Sequence, residues 1–486
     1  MPNSPTTVTT PSPACSTNEP KPIYGANGSY WEFPFLCVPM EVPMTTIPHV
    51  ATTMQRVLST TADAAAQHTR FVQRPRKAKL TGSTFVQTLV FGWLADPDAS
   101  LDSLAQTAAA LGVPITPQAL DQRFTPAAAA CLETVLSTAM RCVIAATPVA
   151  IPILDRFTAV YVQDSSTIVL PDTRAAVWHE CGGSSAVHTQ AALKLQVRLD
   201  VRTGQLHGPH LQHGRASDHA AALPSVLPAG ALRLADLGYW RLDDLQALAT
   251  QQVFWLSRLH TGTAIYDPDG QRREVLALVE AQDSPMVDLP IRLGTTHHMS
   301  ARLLAVRVPQ EVADQRRRQL RTVARRKGRA VNRVCLALAN WTILVTNVPA
   351  DMLSVQEALV LARTRWQIEL LFKLWKSHGH IDTSRSGKPW RVLCEVYAKL
   401  LAMVVQHWLL LVGCWRYPDR SLPKAAQTVR KHALHLASAV GKTAHLTRAS
   451  TTIQRCFGAG CRQNRRKKAP STYQLLLALT DTPCLA

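Results

Sequence analysis

The sequence has no apolar run long enough to cross a membrane. A spanning helix needs about 20 consecutive, mostly apolar residues. The most apolar stretch, residues 400–415, is interrupted by Gln406 and His407, and Glu395 and Lys399 lie just upstream. The N-terminus also lacks the basic segment and apolar run of a secretory signal. We therefore expect no membrane association, and we interpret residues 400–415 as a buried core helix.

Acidic residues are few beside the basic ones. The 486 residues include 33 Asp or Glu against 53 Lys or Arg, so the formal net charge is +20. Such an excess predicts an anionic partner, nucleic acid first. A hydrophobic content of 47% excludes a mainly disordered polycation. The 11 cysteines lack the spacing of a disulfide framework, which is typical of a reducing, cytoplasmic environment.

The amino-acid composition of the N-terminal third changes near residue 50. Residues 1–50 are rich in Pro, Thr and Ser without periodicity, which predicts a flexible tail. Residues 51–150 are rich in Ala and Leu at helical spacing, which predicts a helical domain. We find no internal repeat along the chain.

Two helices in this domain resemble a helix-turn-helix. They are predicted over residues 103–112 and 116–123, with Thr116 as the N-cap of the second. The second helix could enter a DNA groove, or the pair could be an ordinary helical hairpin. The basic residues at 74–79 favour DNA binding.

Strand patterns begin near residue 151 and continue to about 350. The apolar, β-branched segments predict strands at residues 158–163, 192–201, 231–235, 253–259, 301–308 and 341–346. An Arg-rich helix over residues 315–329 interrupts them. Helices resume at residue 354 and continue to about 440. The remaining residues are basic, with a mobile stretch expected at 462–468.

Two aspartates directly follow apolar strands. Asp164 and Asp236 are each predicted at a strand end, where a sheet can hold a carboxylate at its edge. Carboxylates on neighbouring strands repel each other, and a divalent cation between them relieves this repulsion. Each could instead cap a turn. Asp200 and Asp218 are less favoured as the second carboxylate, because Asp200 precedes a turn and Asp218 lies in a polar stretch.

A charged stripe follows one side of a helix predicted over residues 362–376. At 100° per residue its members lie within an arc of about 80°: Arg365, Glu369, Lys373 and Lys376. The rest of the helix is apolar and aromatic. The stripe is either a solvated face with i,i+4 ion pairs or the lining of a cleft for phosphates and a metal ion. Its net positive charge among aromatic residues favours the cleft.

These motifs together resemble those of bacterial insertion-sequence transposases of the DDE class. The spacing Arg365-x3-Glu369-x6-Lys376, with Asp164-Ser-Ser and Asp236-Leu-Gly-Tyr upstream, is similar to the group marked by Tyr-x2-Arg-x3-Glu-x6-Lys. The similarity covers about residues 75–420. It implies an α/β fold with an RNase H-like mixed-sheet catalytic core. A mostly β insertion domain interrupts that core, and a helical DNA-binding domain precedes it.

The resemblance and the texture of the chain predict six segments. They are a flexible tail (1–50), a helical DNA-binding domain (51–150), the first part of the core (151–245), a β insertion domain (246–350), the helical second part of the core (351–440) and a basic C-terminal arm (441–486).

The resemblance also implies a metal site. Asp164, Asp236 and Glu369 correspond to the catalytic carboxylates, which bind two Mg²⁺ ions that Mn²⁺ could replace. Two such ions can activate an attacking hydroxyl and stabilise the leaving oxygen. Ala362 stands where this family has its Tyr, a residue that helps to hold a phosphate near the cleavage point.

Further residues correspond to DNA contacts. The resemblance assigns five side chains to this role: Arg258, Trp341, Arg365, Lys373 and Lys376. Trp341 would shelter a base that leaves the stack during hairpin formation, or it is a core tryptophan at a strand start.

The implied activity is cleavage at the ends of an insertion element and strand transfer into target DNA. This cut-and-paste route could pass through hairpin ends. The partners would be the terminal inverted repeats and target DNA, bound by a homodimer in a synapse at the bacterial nucleoid. Two alternatives stay open: a non-catalytic or co-opted DNA-binding protein, and a metal-dependent nuclease without strand transfer.

Overall fold

The computed structural model describes residues 45–73, 78–170, 191–218, 223, 226–417, 419–464 and 470–479. All of them belong to one compact unit, Val42–Ala486. The predicted tail falls mostly on residues 1–44, outside the described residues, as does most of the basic stretch at 74–79.

The described part of the segment from residue 47 to residue 155 is helical, as its spacing of Ala and Leu predicted. Its helices are α1 (Ile47–Gln55), α2 (Ala62–His68), α3 (Gly82–Ala95), α4 (Leu101–Ala110), α5 (Pro117–Asp121), α6 (Pro126–Arg141) and α7 (Pro152–Asp155), with a π-helical segment (Arg56–Thr61) between α1 and α2. α1 begins at Ile47, slightly before the predicted boundary at residue 50. Thr46 caps this helix, since its side chain accepts from the backbone N–H of His49. In the sequence Thr46 continues the Thr-rich composition of the tail, so the helix was not predicted to begin there.

The predicted helix pair is present as α4 and α5. The chain turns at Gly112, where φ is +81°, and Thr116 caps α5 by accepting from the N–H of Ala119. α5 has only five residues, about 7.5 Å of helix, which is shorter than the predicted range. Groove binding by this helix stays a prediction.

The described residues contain ten strands in one mixed sheet. They are β1 (Val160–Leu170), β2 (Ala191–Asp200), β3 (Leu206–His213), β4 (Leu232–Ala235), β5 (Phe254–Arg258), β6 (Ile265–Tyr266), β7 (Arg272–Arg273), β8 (Met286–Leu293), β9 (Met299–Arg307) and β10 (Trp341–Thr346). Their order is β3-β2-β1-β4-β5-β10-β9-β8-β6-β7. β1, β2 and β3 are antiparallel neighbours, whereas β4 runs parallel to β1 and β5 parallel to β4. This half of the sheet is consistent with an RNase H-like core.

The expected β insertion domain does not form a separate sheet. β5 lies within the predicted insertion, yet Leu232 of β4 pairs with Phe254 of β5 in parallel, so β5 belongs to the core. The strands β6 to β10 continue the same sheet beyond β5. An insertion beginning after β5 would fit this pairing better than one beginning at residue 246, and the insertion itself stays a prediction. Only the pairing partner of β5 distinguishes a core strand from an inserted one, and that partner is distant in sequence.

Four helices accompany this part of the sheet. They are α8 (Leu242–Thr250), α9 (Val275–Glu280), α10 (Gln310–Arg326) and α11 (Arg333–Leu338). α10 confirms the predicted Arg-rich helix. A second hydrophobic core lies here, apart from the main core between the sheet and the N- and C-terminal helices.

The C-terminal third is helical. Its helices are α12 (Val355–Thr364), α13 (Trp366–Gly379), α14 (Pro389–Leu410), α15 (Leu422–Lys431), α16 (Ala433–Ala439), α17 (Thr443–Gly460) and α18 (Thr472–Ala478), and a π-helical segment (Leu411–Trp415) extends α14. The helices predicted from residue 354 to 440 are confirmed. The arm predicted over 441–486 is wrong for α17, where Leu446, Ile453 and Phe457 are buried in the main core. Residues 465–469, within the predicted mobile stretch, lie outside the described part of the chain.

The apolar helix α14 is a core helix, as predicted. The expectation that no segment is long enough to span a membrane was wrong, because α14 with its π-helical extension is long and apolar enough by length and composition. Nearly all of its most apolar stretch is nevertheless buried inside the protein. Lys399 Nζ lies 2.8 Å from Glu395 Oε1, and the two side chains are only 2% and 5% exposed. Lys399 also donates to the carbonyls of His380 and Thr383, so the buried charge is fully paired.

Candidate active site

Asp164 lies inside β1 and not at its end, which corrects the prediction. β1 is buried through Gln163 and partly exposed from Asp164 to Ser166. The parallel pairing with β4 covers only Val160–Gln163, so Asp164 is the first residue beyond it. The sequence pattern therefore marked the end of the buried part of the strand.

Asp236 occupies the matching place on β4. Ala235, the last residue of β4, pairs with Gln163, so Asp164 and Asp236 both follow the last paired residues of neighbouring parallel strands. The carboxyl ends of such strands form the edge where open α/β sheets bind ligands. Leu234 pairs with Leu256, and the same register extended by two residues puts Arg258 of β5 level with Asp236.

Glu369 joins Asp164 through a shared arginine. Arg365 lies between α12 and α13. Its Nη2 is 2.7 Å from Oε1 of Glu369, and its Nη1 is 3.5 Å from Oδ2 of Asp164. All three side chains are partly buried. The helix stripe thus faces β1 and presents a positive charge between two carboxylates.

The three acids share one electrostatic neighbourhood. Burial raises the pKa of Asp164, and the charges of Glu369 and Asp236 act in the same direction. The backbone N–H of Ser165, which donates to Asp164 at 2.8 Å, and the charge of Arg365 oppose this rise in the pKa. Within the described ranges, no three His, Cys, Asp or Glu side chains already form a cluster able to hold a metal ion.

The two lysines of the stripe have different surroundings. Lys376 Nζ donates to the carbonyl of Thr167 on β1 at 2.9 Å, which ties α13 to the strand that carries Asp164. Lys373 is exposed. Ala362 lies on α12 and packs against the main core.

Trp341 lies two strands along the sheet from β4, which precedes Asp236. It is the first residue of β10, is 7% exposed and belongs to the second hydrophobic core. The guanidinium of Arg307 lies 5.8 Å from its ring centroid. This conformation matches the core alternative, and a contact between Trp341 and an extruded base stays a prediction. Arg258, by contrast, is exposed.

The sequence reasoning missed a polar network beside Asp164. Asp218 Oδ1 accepts from Ser165 Oγ at 2.9 Å, from Gln196 Nε2 at 3.2 Å and from Lys194 Nζ at 3.2 Å. Lys194 and Gln196 alternate with buried apolar residues along β2. Because side chains alternate between the two faces of a strand, this spacing could have indicated a polar face on β2. Nothing in the sequence spacing indicates that Asp218 contacts that face.

Tyr239 extends this network to the second strand end. It follows Asp236 by three residues, and its hydroxyl donates to Gln196 Oε1 at 2.6 Å. Burial raises the pKa of Tyr239, and the charges of Asp218 and Asp164 raise it further, so the phenol stays protonated as a donor. The network connects the segments that carry Asp164 and Asp236.

The chain is similar in sequence to known proteins. Residues 155–405 match the family described as Transposase DDE domain, a range that includes Asp164, Asp236 and Glu369. The chain is 24% identical over 443 residues to the transposase for insertion sequence element IS231F of Bacillus thuringiensis subsp. israelensis, which covers 85% of this chain and 91% of that relative. It is 27% identical over 367 residues to the transposase for IS231E of subsp. finitimus, covering 70% and 74%. It is 31% identical over 230 residues to a putative transposase for IS186A of Escherichia coli (strain K12), covering 46% and 60%.

Proposed function

We propose that this chain, which belongs to the DDE transposase family of bacterial insertion sequences, excises its element by a cut-and-paste route. It would cleave phosphodiester bonds at the element ends and transfer the new 3′-hydroxyls into target DNA. One observation carries the proposal: Asp164 and Asp236 directly follow the residues that pair in parallel between β1 and β4, and Arg365 joins Asp164 to Glu369.

The three carboxylates fit a divalent metal site. Carboxylate oxygens are ligands that Mg²⁺ prefers, and Asp164 and Glu369 already face one positive charge from Arg365. Asp164, Asp236 and Glu369 would hold two Mg²⁺ ions, which Mn²⁺ could replace. When bound, such ions activate the attacking hydroxyl and stabilise the leaving oxygen.

The cations of the stripe would position the DNA. Arg365 presents a planar fork that suits a phosphate, and Lys373 and Lys376 supply point charges beside it. Arg258, exposed and level with Asp236 in the strand register, would hold the backbone on the other side of the acids. We place the chain in the Tyr-x2-Arg-x3-Glu-x6-Lys group. With Ala362 at the Tyr position, the hold on the terminal phosphate depends on these cations.

The assembly and setting follow from the same reaction. Two element ends have to be cut and joined in concert, so we propose a homodimer on DNA that acts in the cytoplasm at the nucleoid. The buried Trp341 does not support a hairpin route, and the proposal does not require one.

The test uses labelled duplexes made from the DNA on either side of the gene. The full-length protein and its Glu369→Gln variant are incubated with them in Mg²⁺ or EDTA, with a plasmid as target. We expect cleavage at one position in Mg²⁺, joining to the plasmid, and loss of both in EDTA and in the variant. Equal binding by both proteins without cleavage would support the co-opted DNA-binding alternative, and cleavage without joining would support the nuclease.

A further inference from the structure

We propose that the exposed face of α10 holds the backbone of the element-end duplex next to the acidic site. The proposal rests on the proposed function for the identity of the duplex and adds a second DNA surface that lies outside the three acids and the α13 stripe. Two features are brought together: α10, an anchored helix with unpaired arginines, begins beside one edge of the sheet, and Asp236 lies at that same edge.

α10 is anchored along one side. Arg316 donates to the carbonyl of Trp341 and to Thr342 Oγ1, both at 2.9 Å. Arg317 donates to Asn340 Oδ1 at 2.6 Å and pairs with Asp314 at 2.6 Å. These bonds fix the helix on β10 and the segment before it, so the opposite face is presented on a stiff support.

The opposite face is cationic and unpaired. Arg318, Arg321 and Arg325 lie within an arc of about 60° and over a rise of about 10.5 Å, and all are exposed. Among the described residues these three side chains form no salt bridge or hydrogen bond, and Asp314, the nearest acid along the helix, pairs with Arg317. Further exposed cations continue past the helix end: Arg326, Lys327 and Arg329.

An anion would offset the cost of this arrangement. Like charges at i,i+3 and i,i+4 destabilise a helix by a few tenths of a kcal/mol per pair. The helix dipole favours cations only in the last turn, which accounts for Arg325 and Arg326 but not for Arg318 or Arg321. A strand of duplex DNA carries one charge per roughly 3.4 Å of its axis, so about three phosphates would face the arginines.

The position of α10 favours the duplex that is cut at the acids. Leu344 of β10 pairs with Arg258 of β5, and Arg316 of α10 donates to Thr342 Oγ1, two residues before Leu344 on the same strand. Arg258 is level with Asp236 in the strand register. A duplex bound at the acids would therefore pass from Arg258 toward the start of β10, where α10 is anchored.

The experiment neutralises the stripe in the full-length protein. The variant carries Arg318→Gln, Arg321→Gln and Arg325→Gln, because Gln keeps helix propensity. The control carries Lys442→Gln, Arg448→Gln and Arg455→Gln, which remove the same charge from exposed positions at α17. Binding to the element-end duplex and to a scrambled duplex of equal length is measured over a salt series.

We expect the α10 variant to bind both duplexes at least about tenfold more weakly than the control at 0.1 M salt. Its slope of log K against log salt should be shallower by about 2.7, which is 0.9 for each of three phosphates. Affinities and slopes equal to those of the control would overturn the proposal, as would a loss confined to strand transfer, which would assign α10 to target DNA. If the unaltered protein binds but does not cleave, the proposed function fails while this binding test still decides the role of α10.

Discussion

Asp164 has an environment unlike that of an ordinary surface carboxylate. Its side chain is partly buried and close to the negative charges of Glu369 and Asp236, and the positive charge of Arg365 partly offsets them. Because its pKa is raised, the charged form costs folding free energy at neutral pH. That cost is absent below the ordinary carboxyl pKa of about 4 and grows as the pH rises through the raised value.

The variant Asp164→Asn should therefore be more stable than the unaltered protein at pH 7. We expect a higher Tm for the variant at pH 7 and a smaller difference near pH 4, both without divalent cations. Adding Mg²⁺ should raise the Tm of the unaltered protein, since a ligand that binds only the folded state stabilises it, but not that of the variant. A variant less stable than the unaltered protein at pH 7, or one equally stabilised by Mg²⁺, would contradict this account of Asp164.

Single residues also show how far the sequence alone can go. Asp164, Asp236 and Glu369 could be singled out because each follows a recognisable strand or helix pattern and matches a family motif. Asp218 could not, because its partners on β2 are brought to it only when β3 folds back. For Trp341 the sequence allowed both a DNA contact and a place in the core, because its burial depends on how the strands after β5 pack.

The helix α14 carries a buried ion pair. Its Lys399–Glu395 pair is buried, and Ser384 Oγ donates to the other oxygen of Glu395 at 2.7 Å. The pair also holds the segment after α13 through the carbonyls of His380 and Thr383. α14 thus fixes the C-terminal end of the helix that carries Glu369.

Removing one member of this pair should be costly. The variant Lys399→Met keeps the length of the side chain but leaves Glu395 charged and buried, which costs about 3–5 kcal/mol. Denaturant unfolding should show this loss, while Lys442→Met, at an exposed position, should change stability by less than about 0.5 kcal/mol. The double variant Lys399→Met, Glu395→Gln should recover part of the loss. A double variant as unstable as the single one would show that the buried charge is not the cause.

Element types could be predicted better than their limits and roles. The strands and helices of the core followed their periodicities because one face of each is buried. α17 was predicted as part of an arm because residues 441–486 are basic overall, although every third or fourth residue of the helix packs inward. The start of the insertion could not be placed, because β5 and the inserted strands have the same apolar pattern and differ only in their partners.

The protein as a whole brings its acids together through one sheet. Asp164 and Asp236 come from strands that meet in parallel, and Glu369 arrives on a helix that follows the inserted strands. The insertion extends the sheet from β5, so α10 and the acids belong to a continuous support. The net charge of +20 predicts the class of partner, whereas only the sheet order shows which cations stand beside the acids.

The most direct measurement asks whether Asp236 binds a catalytic metal ion. End cleavage is compared for Asp236→Cys and Asp236→Ala with Mg²⁺ and with Mn²⁺. A thiolate is a poor ligand for Mg²⁺ and a better one for Mn²⁺. We predict that both variants are inactive in Mg²⁺ and that Mn²⁺ restores cleavage to the Cys variant but not to the Ala variant. Equal behaviour of the two variants in both metals, or cleavage by the unaltered protein in EDTA, would contradict the assignment of Asp236 to a metal-dependent site.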